Sequence, residues 1–165
     1  MSEPSPSPVD PDVDLTVTAE RVELHPSPIP VLAAVSVGGM LGAAARHGLG
    51  VAWPHTPAEF PWATLVVNVS GCLLIGVLMA VVTRVGSGRL LRPFLGVGVL
   101  GGYTTFSTYV VDIQQAVAAG RAGVGLLYLA ATLVAALAAV WAGVGVTGRL
   151  IRRRTARRRG GQENR

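Results

Sequence analysis

Nine consecutive residues, Gly101-Gly102-Tyr103-Thr104-Thr105-Phe106-Ser107-Thr108-Tyr109, put two glycines, four aliphatic hydroxyls and three aromatic rings into one short stretch. Its flanks, Pro93 to Leu100 and Val110-Val111, carry no charge and are mostly apolar. In hydrocarbon an unpaired backbone or hydroxyl group costs several kcal/mol, roughly, so irregular polar backbone survives only inside protein or against a water-filled path. The stretch therefore reads in one of two ways: as a broken helix lining a pathway for something small, or as a packing face of small residues between membrane helices. The motif alone leaves both open.

The remaining polar groups in apolar surroundings are few. Asn68 is the one strongly polar side chain of its apolar run, and Tyr128 and Thr132 lie four apart in another. Arg46 lies four residues beyond Gly42, itself four beyond Gly38, so all three share a helix face that admits a close neighbour. Arg46 then points toward protein unless it snorkels to the interface. Amide and hydroxyl hydrogens, with the electropositive edge of Phe106, can replace water around a small anion. Phe106 and Tyr109 are three apart and share a face, a spacing that ordinary core packing also produces. Both carboxylates of the apolar region read as peripheral, Glu59 in a loop and Asp112 near a helix end. Without an intramembrane acid, a proton antiporter is disfavoured. No acid–base pair or activated nucleophile is evident, so an enzyme is not expected. Cys72 stands alone, and His25, His47 and His55 are scattered, so no disulfide or metal cluster is expected.

The elements that must position these groups follow from charge-free runs. Trp62 to Thr83 has 22 uncharged residues, Ala122 to Gly148 has 27 and Pro93 to Val111 has 19. Ile29 to about Trp53 is interrupted only by Arg46 and His47. About 20 apolar residues span a bilayer, so the sequence predicts an all-α membrane protein of four spans. Residues 1–28 are acidic and rich in proline and serine, which predicts disorder. Residues 149–165 hold eight arginines; such a cluster after a span reads as a topology anchor on anionic lipid rather than a nucleic-acid site. The amino tail, the loop between spans two and three and the carboxyl tail share twelve arginines, against Arg121 and at most Arg46 opposite. The positive-inside rule then places both termini in the cytoplasm of a protein of the cell membrane.

Four of these segments together resemble the Fluc (CrcB-type) fluoride channels across nearly all of residues 31 to 148. They are Gly38-Gly39-Met40-Leu41-Gly42-Ala43-Ala44-Ala45-Arg46, Thr64-Leu65-Val66-Val67-Asn68-Val69-Ser70-Gly71, the Gly101–Thr108 stretch, and the Tyr128/Thr132 pair. The resemblance implies an antiparallel dimer whose third helix is broken, with two fluoride pores and one central structural sodium ion. It implies sodium held by backbone carbonyls at Gly101 and Thr104 of both subunits. It also implies a pore lined by Asn68, Phe106, Tyr109, Tyr128 and Thr132, with Thr105 and Ser107 beside them and Arg46 near a mouth. Passive export of cytoplasmic fluoride, and hence fluoride resistance, would be the function.

Two departures stand out. Tyr109 occupies the position of the family's second pore phenylalanine, and His47 that of the usual aromatic after the first-helix arginine. The arginine bias is the other: an antiparallel homodimer needs one sequence to insert both ways, which near-equal loop charge favours. The bias predicts a fixed topology and a separate, oppositely oriented homologous partner, although the family fold can itself dictate insertion and permit a homodimer. A small secondary transporter for another solute and a nonconducting membrane subunit are the alternative functions.

Overall fold

The computed structural model describes residues 28–85 and 88–163. The segment read as a disordered tail lies outside them, except for Pro28. Among the described residues six helices follow in order: α1 (Ile29–Ala52), α2 (Trp62–Val85), α3 (Pro93–Leu100), α4 (Gly101–Tyr103), α5 (Ser107–Ala118) and α6 (Ala122–Glu163). Four stretches are long and apolar enough to cross a membrane: Ile29–Ala52, Trp62–Thr83, Pro93–Ala118 and Ala122–Arg153. The third of these contains α3, α4 and α5.

Local chemistry sets the ends. α1 stops at Trp53, whose backbone leaves helical geometry before Pro54, as steric conflict with a following proline ring demands. α5 is closed by Gly120 at φ 73°, with Arg121 N–H donating back to Ala116 O at 2.8 Å. A left-handed residue at this place favours glycine, which has no Cβ to clash. α3 begins on Pro93 and winds as a π-helix.

Glycine brings the helices together. A Cβ added at Gly38 would sit 2.5 Å from Phe94 O, and one at Gly42 would strike Val99 O. Gly76 and Gly143 do the same between α2 and α6, where the added atoms would lie 2.5 Å from Val140 O and Leu73 O. Two tight pairs result, α1 with α3–α4 and α2 with α6. The third span is shared between them, since α5 leaves α1 and packs on α6. Val67 and Tyr128 are the most deeply buried large side chains.

Two expected boundaries move. α5 runs to Ala118, past the expected end near Asp112, Gln114 and Gln115, because Asp112 finds a partner inside the bundle and the two glutamines ride on the exposed face of the helix. Asp112 is thus a buried carboxylate within the third span rather than a group near its end. α6 continues as helix through Glu163, beyond the expected span end at Gly148.

Candidate functional site

Between α4 and α5 the chain is not helical: Thr104 is extended, with φ −75° and ψ 158°. Three neighbouring groups hold that turn. Asn68 of α2 reads the backbone of Thr105 on both sides, its amide N–H donating to Thr105 O at 2.9 Å and its Oδ1 accepting Thr105 N–H at 2.9 Å. The Thr105 hydroxyl accepts Thr108 N–H at 3.1 Å, serving the first turn of α5 as a capping side chain does. The Thr104 hydroxyl folds back onto Leu100 O at 2.9 Å, and its methyl closes on Gly71, where any side chain would strike it.

This pattern redirects two donors. In a continuous helix Thr105 N–H would bond Gly101 O, and Thr108 N–H would bond Thr104 O. Here the first donates to Asn68 and the second to the Thr105 hydroxyl. The carbonyls of Gly101 and Thr104 are relieved of their helical donors, and Gly101 is exposed. Arg46 reaches the same region from α1, its Nε donating to Gly102 O at 3.2 Å.

Aromatic rings run from this turn toward the Trp53–Pro61 loop. Centroid separations are 5.9 Å for Phe106–Tyr109, 5.2 Å for Tyr109–Tyr128, 5.3 Å for Tyr128–Phe60 and 4.6 Å for Phe60–Trp62. The two contacts of Tyr128 are edge-to-face, the arrangement that the ring quadrupole favours. Phe106 is 77% exposed. Beside the row, the Tyr128 Oη and Thr132 Oγ1 atoms are buried, with no partner among the described residues that meets hydrogen-bond geometry. Thr64, Thr132 and Asp112 nonetheless lie around the Tyr128 hydroxyl, near enough for loose hydrogen bonds. Thr64 gives its own hydroxyl hydrogen to Asp112 Oδ2 at 2.9 Å.

Residues 33–144 match the family model described as CrcB-like protein, Camphor Resistance (CrcB). The chain belongs to the CrcB-like family. Among curated relatives, "Fluoride-specific ion channel FluC 1" of Streptomyces coelicolor is 56% identical over 113 residues, covering 68% of this chain and 73% of that protein. "Fluoride-specific ion channel FluC 2" of Thermobifida fusca is 54% identical over 131 residues, 79% of this chain and 97% of its own. A protein of the latter name from Nocardia farcinica is 53% identical over 116 residues. These CrcB-like relatives are named as ion channels, and with its four apolar spans the chain is a multi-pass membrane protein.

In this CrcB-like chain most of the expected site residues converge. Asn68, Gly101, Thr104, Thr105, Phe106, Tyr109 and Thr132 line one open cavity of about 450 Å³. Tyr128 stands behind Tyr109, and the Ser107 hydroxyl lies 3.3 Å from that of Thr105. Arg46 faces a separate cavity of about 310 Å³, shared with His47, Thr64, Thr105 and Thr108. The Tyr109 hydroxyl donates to Leu129 O at 3.0 Å, so this departure from phenylalanine is tied to α6. Sequence reading names Thr64 and Asp112 without bringing them together, and does not single out Phe60. A carboxylate six residues after Phe106 was a signal for the second of these; nothing in the sequence joined the loop residue Phe60 to the row.

Proposed function

We propose that this chain is one subunit of a passive, fluoride-selective channel that lets cytoplasmic fluoride leave down its electrochemical gradient and so confers fluoride resistance. The names of the relatives support the ion, and one observation carries the route. Tyr128 Oη and Thr132 Oγ1 are buried beside a row of ring edges, with Thr64 and Asp112 close by but no hydrogen bond of good geometry. Leaving each unpaired costs about 1–3 kcal/mol. A small anion supplies the missing acceptor while positive ring edges replace part of its hydration. An inside-negative potential favours the exit of that anion.

The extended turn at Thr104 is read as the break of the third helix, and the exposed face around Phe106 as the seat of a second, antiparallel subunit. Sodium fits the donors there, since freed carbonyls suit a hard cation. Gly101 O and Thr104 O of both subunits would hold it, and its charge would brace the two turns against each other. Asn68 would present its remaining N–H to the anion while it holds the Thr105 backbone. The arginine bias supports cytoplasmic termini and an oppositely oriented homologous partner in preference to a homodimer.

Fluoride efflux from liposomes, read with a fluoride electrode and with chloride as control, tests the reading. Rapid fluoride-selective release by the chain alone supports a self-sufficient channel; release only after adding the homologous subunit supports the heterodimer. Carboxyl-terminal reporters found equally inside and outside would overturn the fixed topology. Asp112, buried within the third span, favours one second reading: proton-coupled transport, which needs such a carboxylate. Efflux that persists with no pH gradient, and moves no protons, eliminates it.

A further inference from the structure

The Trp53–Pro61 turn carries a group that the proposed route does not use. His55 presents Nε2 to Asp112 Oδ1 at 3.7 Å, and the two side chains are 25% and 7% exposed. The imidazole forms part of the wall of an open cleft of about 670 Å³, together with Phe60, Glu59 and Arg121. On the inner side Asp112 is bonded to Thr64 and acts on the Tyr128 hydroxyl. A solvent-reachable imidazole thus faces a buried carboxylate that stands beside the Tyr128 hydroxyl.

We infer that His55 is a proton-operated control on anion passage, acting through its juxtaposition with Asp112 at the loop end of the aromatic row. With His55 protonated, the Asp112 charge is offset and an anion passes Tyr128 against little repulsion. With His55 neutral, the carboxylate stands uncompensated and opposes it. The inference rests on the fluoride-channel reading.

Other groups face this pair. Glu59 shares the turn, and the backbone N–H of Thr56, donating to it at 2.8 Å, holds its carboxyl below the usual range, so it stays ionised near neutrality. Arg121, on the α5–α6 turn, lines the same cleft as His55 and Glu59. Tyr128 contributes from α6. Arg46 and His47 lie across the cavity behind Thr64, which makes His47 the second imidazole to control for. Imidazole is the side chain whose ordinary titration falls between about pH 5 and 8.

The test is fluoride efflux from liposomes holding the conducting assembly at about pH 5.5 and about pH 8, with leak from protein-free vesicles subtracted. The wild type should run roughly tenfold faster at the acid value, the low end of what focused charge does to anion encounter. His55→Gln should hold the slow rate at both, His55→Arg the fast rate at both, and His47→Gln should behave as wild type. A wild-type pH ratio retained in His55→Gln, including one caused by titration of Asp112 alone, overturns the inference and leaves the channel intact. Loss of the ratio in His47→Gln also overturns it. A wild-type assembly silent toward fluoride at both values overturns the channel reading, and the control falls with it.

Discussion

The glycine seams and the extended turn at Thr104–Phe106 solve opposite problems. In the seams, Gly38 and Gly42 against α3–α4 and Gly76 against Gly143, backbone meets backbone because nothing protrudes. Helical hydrogen bonds, α or π, satisfy most of the polar groups there, and contact is made by omission. At the turn, the backbone has given up its helical bonds, and side chains from elsewhere must replace them. Asn68 comes from 37 residues away. A seam is fixed by what a residue lacks, a turn by what a distant residue supplies. The two should therefore fail differently.

The largest effect is expected at a seam. Gly42→Val drives a branched side chain into Val99 O and Tyr103 N, where overpacking costs about 3 kcal/mol or more. Loss of monodisperse protein in detergent is the readout. Gly39→Ala, three residues earlier and facing open space, should leave the protein intact. If both behave alike, close approach is not what holds the seam.

Asn68→Ala comes next. It strips partners from Thr105 N–H and Thr105 O, at about 1–3 kcal/mol for each group left unpaired. Folded protein should remain, with fluoride efflux lowered by roughly tenfold or more, a change worth about 1.4 kcal/mol in the barrier. Asn68→Asp keeps the acceptor for Thr105 N–H but sets a negative charge against Thr105 O and on the anion's route, and should lower efflux further than Asn68→Ala. Smaller still is Thr105→Val, which removes a cap worth about 1 kcal/mol and should lower the thermal midpoint, while Thr105→Ser restores it. Tyr109→Phe is the mildest, forfeiting one hydrogen bond to Leu129 O worth about 0.5–1.5 kcal/mol. Single-pore conductance unchanged by it would remove any reason to give the hydroxyl a role.

The same contrast explains what could be read beforehand. Spans and seams are local: runs without charge gave four membrane-length stretches, and the Gly38–Gly42–Arg46 spacing placed Arg46 toward protein, where it bonds Gly102 O. The hydroxyl-rich stretch drew attention to Thr104–Phe106 through composition alone. Which group would hold that backbone was not legible, because a hydrogen bond over 37 residues leaves no periodic trace. Asp112 was misplaced for a related reason. A carboxylate ends an apolar run when read by charge, yet Thr64, 48 residues earlier, satisfies it inside the bundle. Phe60 looked like a loop residue and joins the ring row only once α2 and α6 are packed.

The third span belongs to two helix pairs at once, its first half to α1 and its second to α6. That arrangement makes Thr104–Phe106 a mechanical joint. Bilayers differ in thickness, and helices answer by tilting. If the two pairs tilt by different amounts, regular helix on either side stays rigid and the mismatch collects at the turn, where the Asn68–Thr105 bonds take up the load. Lipid chain length would then tune this molecule at its most polar point.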